Sequence, residues 1–388
     1  MVKFPEKLSK KIALRSKAKM LRKLPETGKS VDFFSNDYLG FSKMPELAES
    51  TKALLHDLKE NDNGATGSRL LSGNHALYGL LENELTTFHN CEAALVFNSG
   101  YDANLGFFSS VPQRGDIVLF DEFVHASIRD GIRMGNAKSY KFIHNDIDSL
   151  IEVLKRARKS AFHETEVYVV TESVFSMDGD SPDISALVKC CEANNCRLVV
   201  DEAHAVGVFG DAGEGLVQQS RSQAKVFARI ITFGKALGSH GAAVLGSKEL
   251  IDYLVNFARS FIYTTGLPPH TVATVLAAYR LLCGDLGAGF RKRLQERIAF
   301  FGKERDRLGL QGIFVTSTSA IQSAIIPGTI AVKQVAGAMG DAGIDVMPIL
   351  APTVPQGWER LRFCLHAYNS ETEIAKALLL LSEFKNAV

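Results

Sequence analysis

The sequence contains no CxxC pair. Its six cysteines, Cys91, Cys190, Cys191, Cys196, Cys283 and Cys364, are scattered, and no His pair stands near them at zinc spacing. Neither a zinc ribbon nor a disulfide scaffold is expected, and free thiols fit a reducing, cytoplasmic setting. Charge of one sign is also missing. A formal net charge of +1 gives no global field for nucleic acid or an acidic membrane. No apolar run reaches membrane-spanning length, and no internal repeat or low-complexity tract appears. There is no GxSxG elbow and no HExxH helix. Gly241-Ala-Ala-Val-Leu-Gly-Ser-Lys248 approaches a P-loop but lacks the Gly-Lys-Ser/Thr order, and Gly64-Ala-Thr-Gly67 is not a GxGxxG following a strand. Asp178-Gly-Asp-Ser-Pro-Asp183 lacks the closing glutamate of a calcium loop and reads as a tight turn. No metal site is expected.

What is present is ordinary globular material: 46% hydrophobic and 22% charged residues in 388, enough for a large core and two domains. Residues 1 to 23 hold nine Lys or Arg and one acid, Glu6. Basic, acid-poor composition also marks transit peptides, but Leu8, Ile12, Leu14 and Leu21 at loosely helical spacing favour an amphipathic helix with a solvated basic face. From about Pro45, helical segments alternate with continuous apolar runs: Ala94–Phe97, Ile117–Phe120, Val167–Val170, Leu198–Val200, Ile230–Phe233 and Ala242–Leu245. Unbroken apolar runs are expected of strands covered on both faces, and the spacing leaves room for crossover helices. The expectation is an α/β fold: an N-terminal arm (1–44), a large domain on a mostly parallel sheet (45–285), and a smaller α+β domain (286–388). In the last, a charged helix near 290–308 precedes strands at Ala324–Ile326 and Arg360–Cys364 and a helix near 371–384.

In such sheets ligands bind beyond the carboxyl ends of the strands, so the residues after each run are the candidates. Asn98-Ser-Gly-Tyr101 enters a helix and offers free N–H groups suited to a phosphate, although a plain strand-to-helix turn looks the same. His125, after the second run, suits the core or the face of an aromatic ring. Glu172 and Ser176 follow the third. Asp201-Glu-Ala-His204 suits a metal, a triad, a protonated heterocycle or a helix cap. Gly234-Lys-Ala-Leu-Gly238 is the unusual item: a strand-end lysine among small residues permits close approach of a flat carbonyl cofactor and Schiff-base use. Together, Lys235, Asp201, Ser99-Gly100-Tyr101 and His125 supply what pyridoxal phosphate needs: an amine for the aldehyde, a carboxylate for the ring nitrogen, a phosphate cradle and a ring-face partner.

Phe34-Ser-Asn-Asp-Tyr-Leu-Gly40, Gly67-Ser-Arg-Leu-Leu-Ser-Gly-Asn-His75, Val124-His-Ala-Ser127, Thr171–Asp180, Asp201–His204, Thr232–Gly238 and Phe261–Pro269 occur in order along nearly the whole chain. In these motifs the chain resembles the α-oxoamine synthases, fold-type-I pyridoxal phosphate enzymes. Ser319-Ala-Ile-Gln322 and Pro352-Thr-Val-Pro355, followed by Arg360-Leu-Arg362, resemble the member acting in biotin biosynthesis. The resemblance implies decarboxylative condensation of L-alanine with a pimeloyl thioester, carried on coenzyme A or a carrier protein. A serine palmitoyltransferase-like or glycine-using reaction is the alternative. It implies that Lys235 holds the cofactor covalently and moves the α-proton. Asp201 pairs with the ring nitrogen and His125 stacks on the ring. His204 and Ser176 lie near the phenolic oxygen. Ser99, Gly100, Tyr101 and Thr232 surround the phosphate, with Thr264 or Thr265 supplied by the partner of a homodimer. Arg362 and Asn36 would hold the amino-acid carboxylate, and Arg22 and Thr353 the acyl substrate. One departure is Ala205-Val-Gly207, where many relatives carry Gly-Thr-Gly.

Overall fold

The computed structural model describes residues 2–22, 24, 30–60, 62–159 and 164–387. The chain divides into two compact units, 1–30 and 31–388. The first holds a helix over Glu6–Lys17 with no buried residue, and Leu8, Ile12 and Leu14 are exposed. Residues 31–44, expected in the arm, belong to the second unit.

The strands of the second unit are β1 (Val31–Phe33), β2 (Ala93–Phe97), β3 (Ile117–Asp121), β4 (Lys138–Phe142), β5 (Val167–Glu172), β6 (Arg197–Asp201), β7 (Ala228–Thr232), β8 (Ala242–Gly246), β9 (Ile321–Ile325), β10 (Ile344–Ile349) and β11 (Arg360–Cys364). Seven of them form one sheet in the order β2-β8-β7-β6-β5-β3-β4, and four form another in the order β1-β10-β11-β9. All six apolar runs read from the sequence are strands of the larger sheet. Its pairings from β4 through β3, β5, β6 and β7 are parallel, and β8 runs antiparallel to both its neighbours, β7 and β2. β2 therefore points the same way as the parallel strands, and the carboxyl ends of β2, β3, β5, β6 and β7 share one edge.

The apolar runs are unbroken because side chains on both faces are buried. In β7, Ile230 packs into one core cluster and Ile231 into another, and in β6 Val199 and Val200 divide likewise. β4, Lys-Ser-Tyr-Lys-Phe, was not read from the sequence. It is an edge strand whose lysines are exposed, so it carries no apolar run. The charged helix is longer than the pattern suggested, spanning Asp285–Arg307. β1 and β10 pair in parallel from opposite ends of the chain, a long-range pairing that local pattern does not display.

The turn from β7 into β8 is held by its own backbone. Phe233 N donates to Gly241 O at 2.9 Å, Ser239 N to Phe233 O at 2.8 Å and Gly238 N to Lys235 O at 2.9 Å. Phe233, Ala236 and Leu237 are buried, so the residues around Lys235 are fixed in the core. Gly238 has φ of +57°, and a Cβ there would lie 2.2 Å from Ser42 N. Replacing Gly238 with Ala is expected to lower unfolding free energy by at least about 2 kcal/mol, read by denaturant unfolding. An unchanged midpoint would show that the two segments are not packed this closely.

Candidate active site

The shared edge brings the candidates together. Glu172 ends β5 and Asp201 ends β6, and the two are direct partners in the strand register. Both are buried. Asp201 is held on each oxygen: Asn104 Nδ2 donates to Oδ2 at 2.9 Å and Ala203 N to Oδ1 at 2.9 Å. Asn104 sits on the helix Gly100–Ser110 and also donates to Ser127 Oγ at 3.0 Å, which lies 2.7 Å from His125 Nδ1. Glu172 Oε1 accepts from His125 N at 2.5 Å. Asp201, Asn104, Ser127, His125 and Glu172 are thus one network around the strand ends.

Lys235 lies against that network, partly buried. Burial drives its ammonium down to about 8, outweighing Asp201 and Glu172, which favour the charged form. Burial drives Glu172 up to about 8, helped by Asp201 and opposed by Lys235. His125 is held below the ordinary imidazole range, first by burial and then by the balance of Asp201 against Lys235. His204 is lowered well below it by burial, Lys235 and Arg362, so its ring is neutral. Its Nδ1 is 2.7 Å from the hydroxyl of Tyr38.

Arg362, on β11 of the smaller sheet, is buried, and its Nη2 donates to Asn36 Oδ1 at 2.5 Å. Its Nε is buried and has no hydrogen-bond partner among the described residues. A buried guanidinium with a free donor is a site for an incoming carboxylate. The segment 34–40 joins both sheets' contributions, since Asn36 holds Arg362 and Tyr38 holds His204.

At the end of β2, Ser99 caps the helix Gly100–Ser110, accepting from Asp102 N at 3.1 Å. A Cβ at Gly100 would meet Thr232 at 3.8 Å, so the helix N-terminus and Thr232 face one space. Tyr101, exposed, donates to Asp130 Oδ2 at 2.7 Å. Within the chain, Thr264 Oγ1 accepts from Asn98 Nδ2 at 3.1 Å and Thr265 O at 2.7 Å. Ser176 and Thr353 line a cavity of about 520 Å³ with His125, Pro352, Val354 and Arg360. Arg360 is buried and paired with Asp178. Arg22 belongs to the N-terminal unit, and the elements above do not include it.

Asn104 lies outside every motif of the sequence, and Tyr38, Ser127, Asp178 and Arg360 stand there only inside longer motifs, with no role of their own. Asn104 carried a usable signal, as an amide among Ala103, Phe107 and Phe108 on a buried helix face. Arg360–Asp178 carried none, since the partners lie 182 residues apart.

The pattern of the family described as aminotransferase class I and II matches residues 29–379. The chain belongs to that family. Two curated relatives are named 8-amino-7-oxononanoate synthase. The one from Emericella nidulans is 41% identical over 360 residues, covering 89% of this chain and 87% of the relative. The one from Geotalea daltonii is 38% identical over 344 residues, covering 89% and 86%. Among solved structures, 8-amino-7-oxononanoate synthase from Francisella tularensis superposes with TM-score 0.76 at 28% identity, covering 92% of this chain and 98% of that one. Serine palmitoyltransferase from S. paucimobilis, with a PLP–myriocin aldimine bound, superposes with TM-score 0.87 at 26% identity, covering 98% and 97%.

The residues present fit the family's pyridoxal phosphate. Lys235 is an amine with a lowered pKa for the aldehyde and Asp201 a doubly supported carboxylate for the ring nitrogen. The N-terminus at Gly100 beside Thr232 would cradle the phosphate, and the free Nε of Arg362 is a donor that could take a carboxylate. With Lys235 at about 8, acylation of that lysine by acetic anhydride in cofactor-free protein should rise roughly tenfold between pH 7 and pH 9 and then level off. Asp201→Asn should move the midpoint lower, because Asp201 favours the charged amine. Peptide mapping reads the label, and a midpoint near the ordinary 10.5 would refute the buried-amine account.

Proposed function

We propose that this enzyme condenses L-alanine with a pimeloyl thioester, a step of biotin biosynthesis. L-alanine, the thioester and one proton give 8-amino-7-oxononanoate, the free thiol and CO2. The observation that carries the reading is the conjunction of the Lys235–Asp201–Arg362 site with relatives of that name at about nine-tenths coverage of the chain. Bound pyridoxal phosphate supplies an electron sink for the carbanion equivalent at the amino-acid Cα.

The chain's own groups do the rest. Arg362 binds the alanine carboxylate through its free Nε, and Asn36 fixes the guanidinium plane. Lys235 Nζ takes the Cα proton and later returns one. At pH 7.5 an amine with pKa about 8 is neutral in roughly a quarter of molecules, against about one in a thousand at the ordinary 10.5. Asp201, held by Asn104 and Ala203 N, would be the carboxylate partner of the ring nitrogen. His204 stays neutral and, fixed by Tyr38, offers a hydrogen bond without adding charge. His125, Ser176 and Thr353 face the cavity of about 520 Å³, which is the place for the acyl chain. The reading also takes the enzyme as a cytoplasmic homodimer with a shared site, in which Thr264 or Thr265 of one subunit completes the phosphate cradle of the other and Arg22 contacts the acyl substrate. The resemblance supports these points, and sedimentation at monomer mass with full activity would overturn the dimer.

The serine palmitoyltransferase-like alternative has one observation in its favour, the higher superposition score of that structure. The higher sequence identity of the synthases weighs against it. An absorbance spectrum of the protein with pyridoxal phosphate decides. A visible band removed by borohydride is expected, with the label on Lys235, followed by thiol release with L-alanine and pimeloyl-CoA but not with L-serine and palmitoyl-CoA. The converse preference would overturn the named substrates and keep the family. Lys235→Ala should reduce turnover at least about a thousandfold with the thermal midpoint within a few degrees. Arg362→Lys should raise KM for L-alanine by about tenfold or more, because a point charge replaces a planar fork. Wild-type KM in that variant would remove Arg362 from the carboxylate site.

A further inference from the structure

A second charged cluster lies beside the cavity, outside the groups assigned above. His144 follows β4. Its Nδ1 is 2.9 and 3.1 Å from the two oxygens of Asp121, and its Nε2 is 2.7 Å from Asp180 Oδ2. Asp121 is fully buried at the end of β3, and its carboxylate also accepts from Phe123 N and Asn145 N, each at 2.8 Å. Asn145 Nδ2 donates to Asp180 Oδ2 at 2.8 Å. The imidazole sits between two rings, with centroids 4.5 Å from Phe123 and 4.4 Å from Phe175. A neutral imidazole has one N–H, so donating to both carboxylates requires the imidazolium.

The two carboxylates belong to different loops of the site. Asp121 begins the loop that ends in His125, and Asp180 closes the loop that carries Ser176. The second loop is tied on its other side to the smaller sheet. Ser323 Oγ donates to Met177 O at 2.6 Å, Ser317 Oγ to Gly179 O at 2.7 Å, and Arg360 of β11 pairs with Asp178. Arg360 stands two residues before Arg362. The chain Asp121–His144–Asp180, then Asp178–Arg360, therefore runs from the His125 loop to the strand that carries Arg362.

We propose that His144 is a positioning residue for the reaction: bridging Asp121 and Asp180, it fixes the spacing between the His125 loop and the Ser176 loop on the cavity wall. Burial alone would neutralise the ring, but the hydrogen bonds it donates to Asp121 and Asp180 outweigh burial and raise its pKa to about 9. The clamp is fully present below the ordinary imidazole value of 6.5 and is lost as pH rises through about 9. Asp121 and Asp180 are the charged groups the structure places against the ring, with Asn145, Phe123 and Phe175 completing its surroundings.

The kinetic readout rests on the proposed reaction, so the test carries an independent one. In His144→Gln, loaded with pyridoxal phosphate, the amides of Phe123 and Asn145 should exchange with deuterium at least about tenfold faster, because the Asp121 carboxylate that accepts from both is no longer fixed. The kcat with L-alanine and pimeloyl-CoA should fall about tenfold to a hundredfold while KM for L-alanine stays within about threefold, as expected of misplaced loops around an intact Arg362. The unpaired carboxylate should also lower the thermal midpoint. Adding Asp180→Asn should recover the midpoint without recovering kcat, because the charge is relieved but the spacing is not restored. Unchanged amide exchange, or kcat recovering together with the midpoint, would overturn the proposal. If the wild type prefers another amino acid or thioester, the proposed substrates fall, and the exchange experiment still decides the role of His144.

Discussion

An amine and two carboxylates meet at the ends of three adjacent strands, and the rest of the site is arranged around the cost of burying them. Glu172 and Asp201 are side by side in the register of β5 and β6, where two charged carboxylates would repel at close range in a poorly hydrated space. Burial pushes Glu172 up to about 8, so it takes up a proton easily, while Asp201 accepts one hydrogen bond on each oxygen, from Asn104 and from Ala203 N. Lys235 is in turn lowered to about 8 despite both carboxylates. Such opposed shifts are what an acid–base site near neutral pH requires.

Arg362, the proposed carboxylate site, belongs to the other sheet. The segment 34–40 makes the join, with Asn36 on Arg362 and Tyr38 on His204. The loop 173–180 makes a second, held by Asp178–Arg360 on one side and His144–Asp180 on the other. Buried ion pairs of this kind contribute little net stability, because desolvation offsets the attraction, but removing one partner leaves a buried charge uncompensated. That asymmetry favours a role in fixing geometry over one in raising stability.

The parts legible in the sequence were those with local causes. Six apolar runs became six strands because each is buried on both faces. Lys235 stood out because a lysine among glycines at a strand end is unusual whatever surrounds it. Strands β1, β4 and β10 were missed because their pairing depends on distant partners or on an exposed edge that relaxes the apolar pattern.

The sequence by itself determined six of the larger sheet's seven strands, the placing of the candidate site residues just after them, and, through ordered motifs, the family. Only the tertiary structure decided which groups support them. Asn104 became the support of Asp201, and Arg360 the partner of Asp178, because helix packing and sheet register bring together positions 97 and 182 residues apart. The charge state of His144 is likewise a tertiary property. An imidazole is a switch or a fixed cation according to which carboxylates the fold places against its two nitrogens, and chain order does not encode that distance.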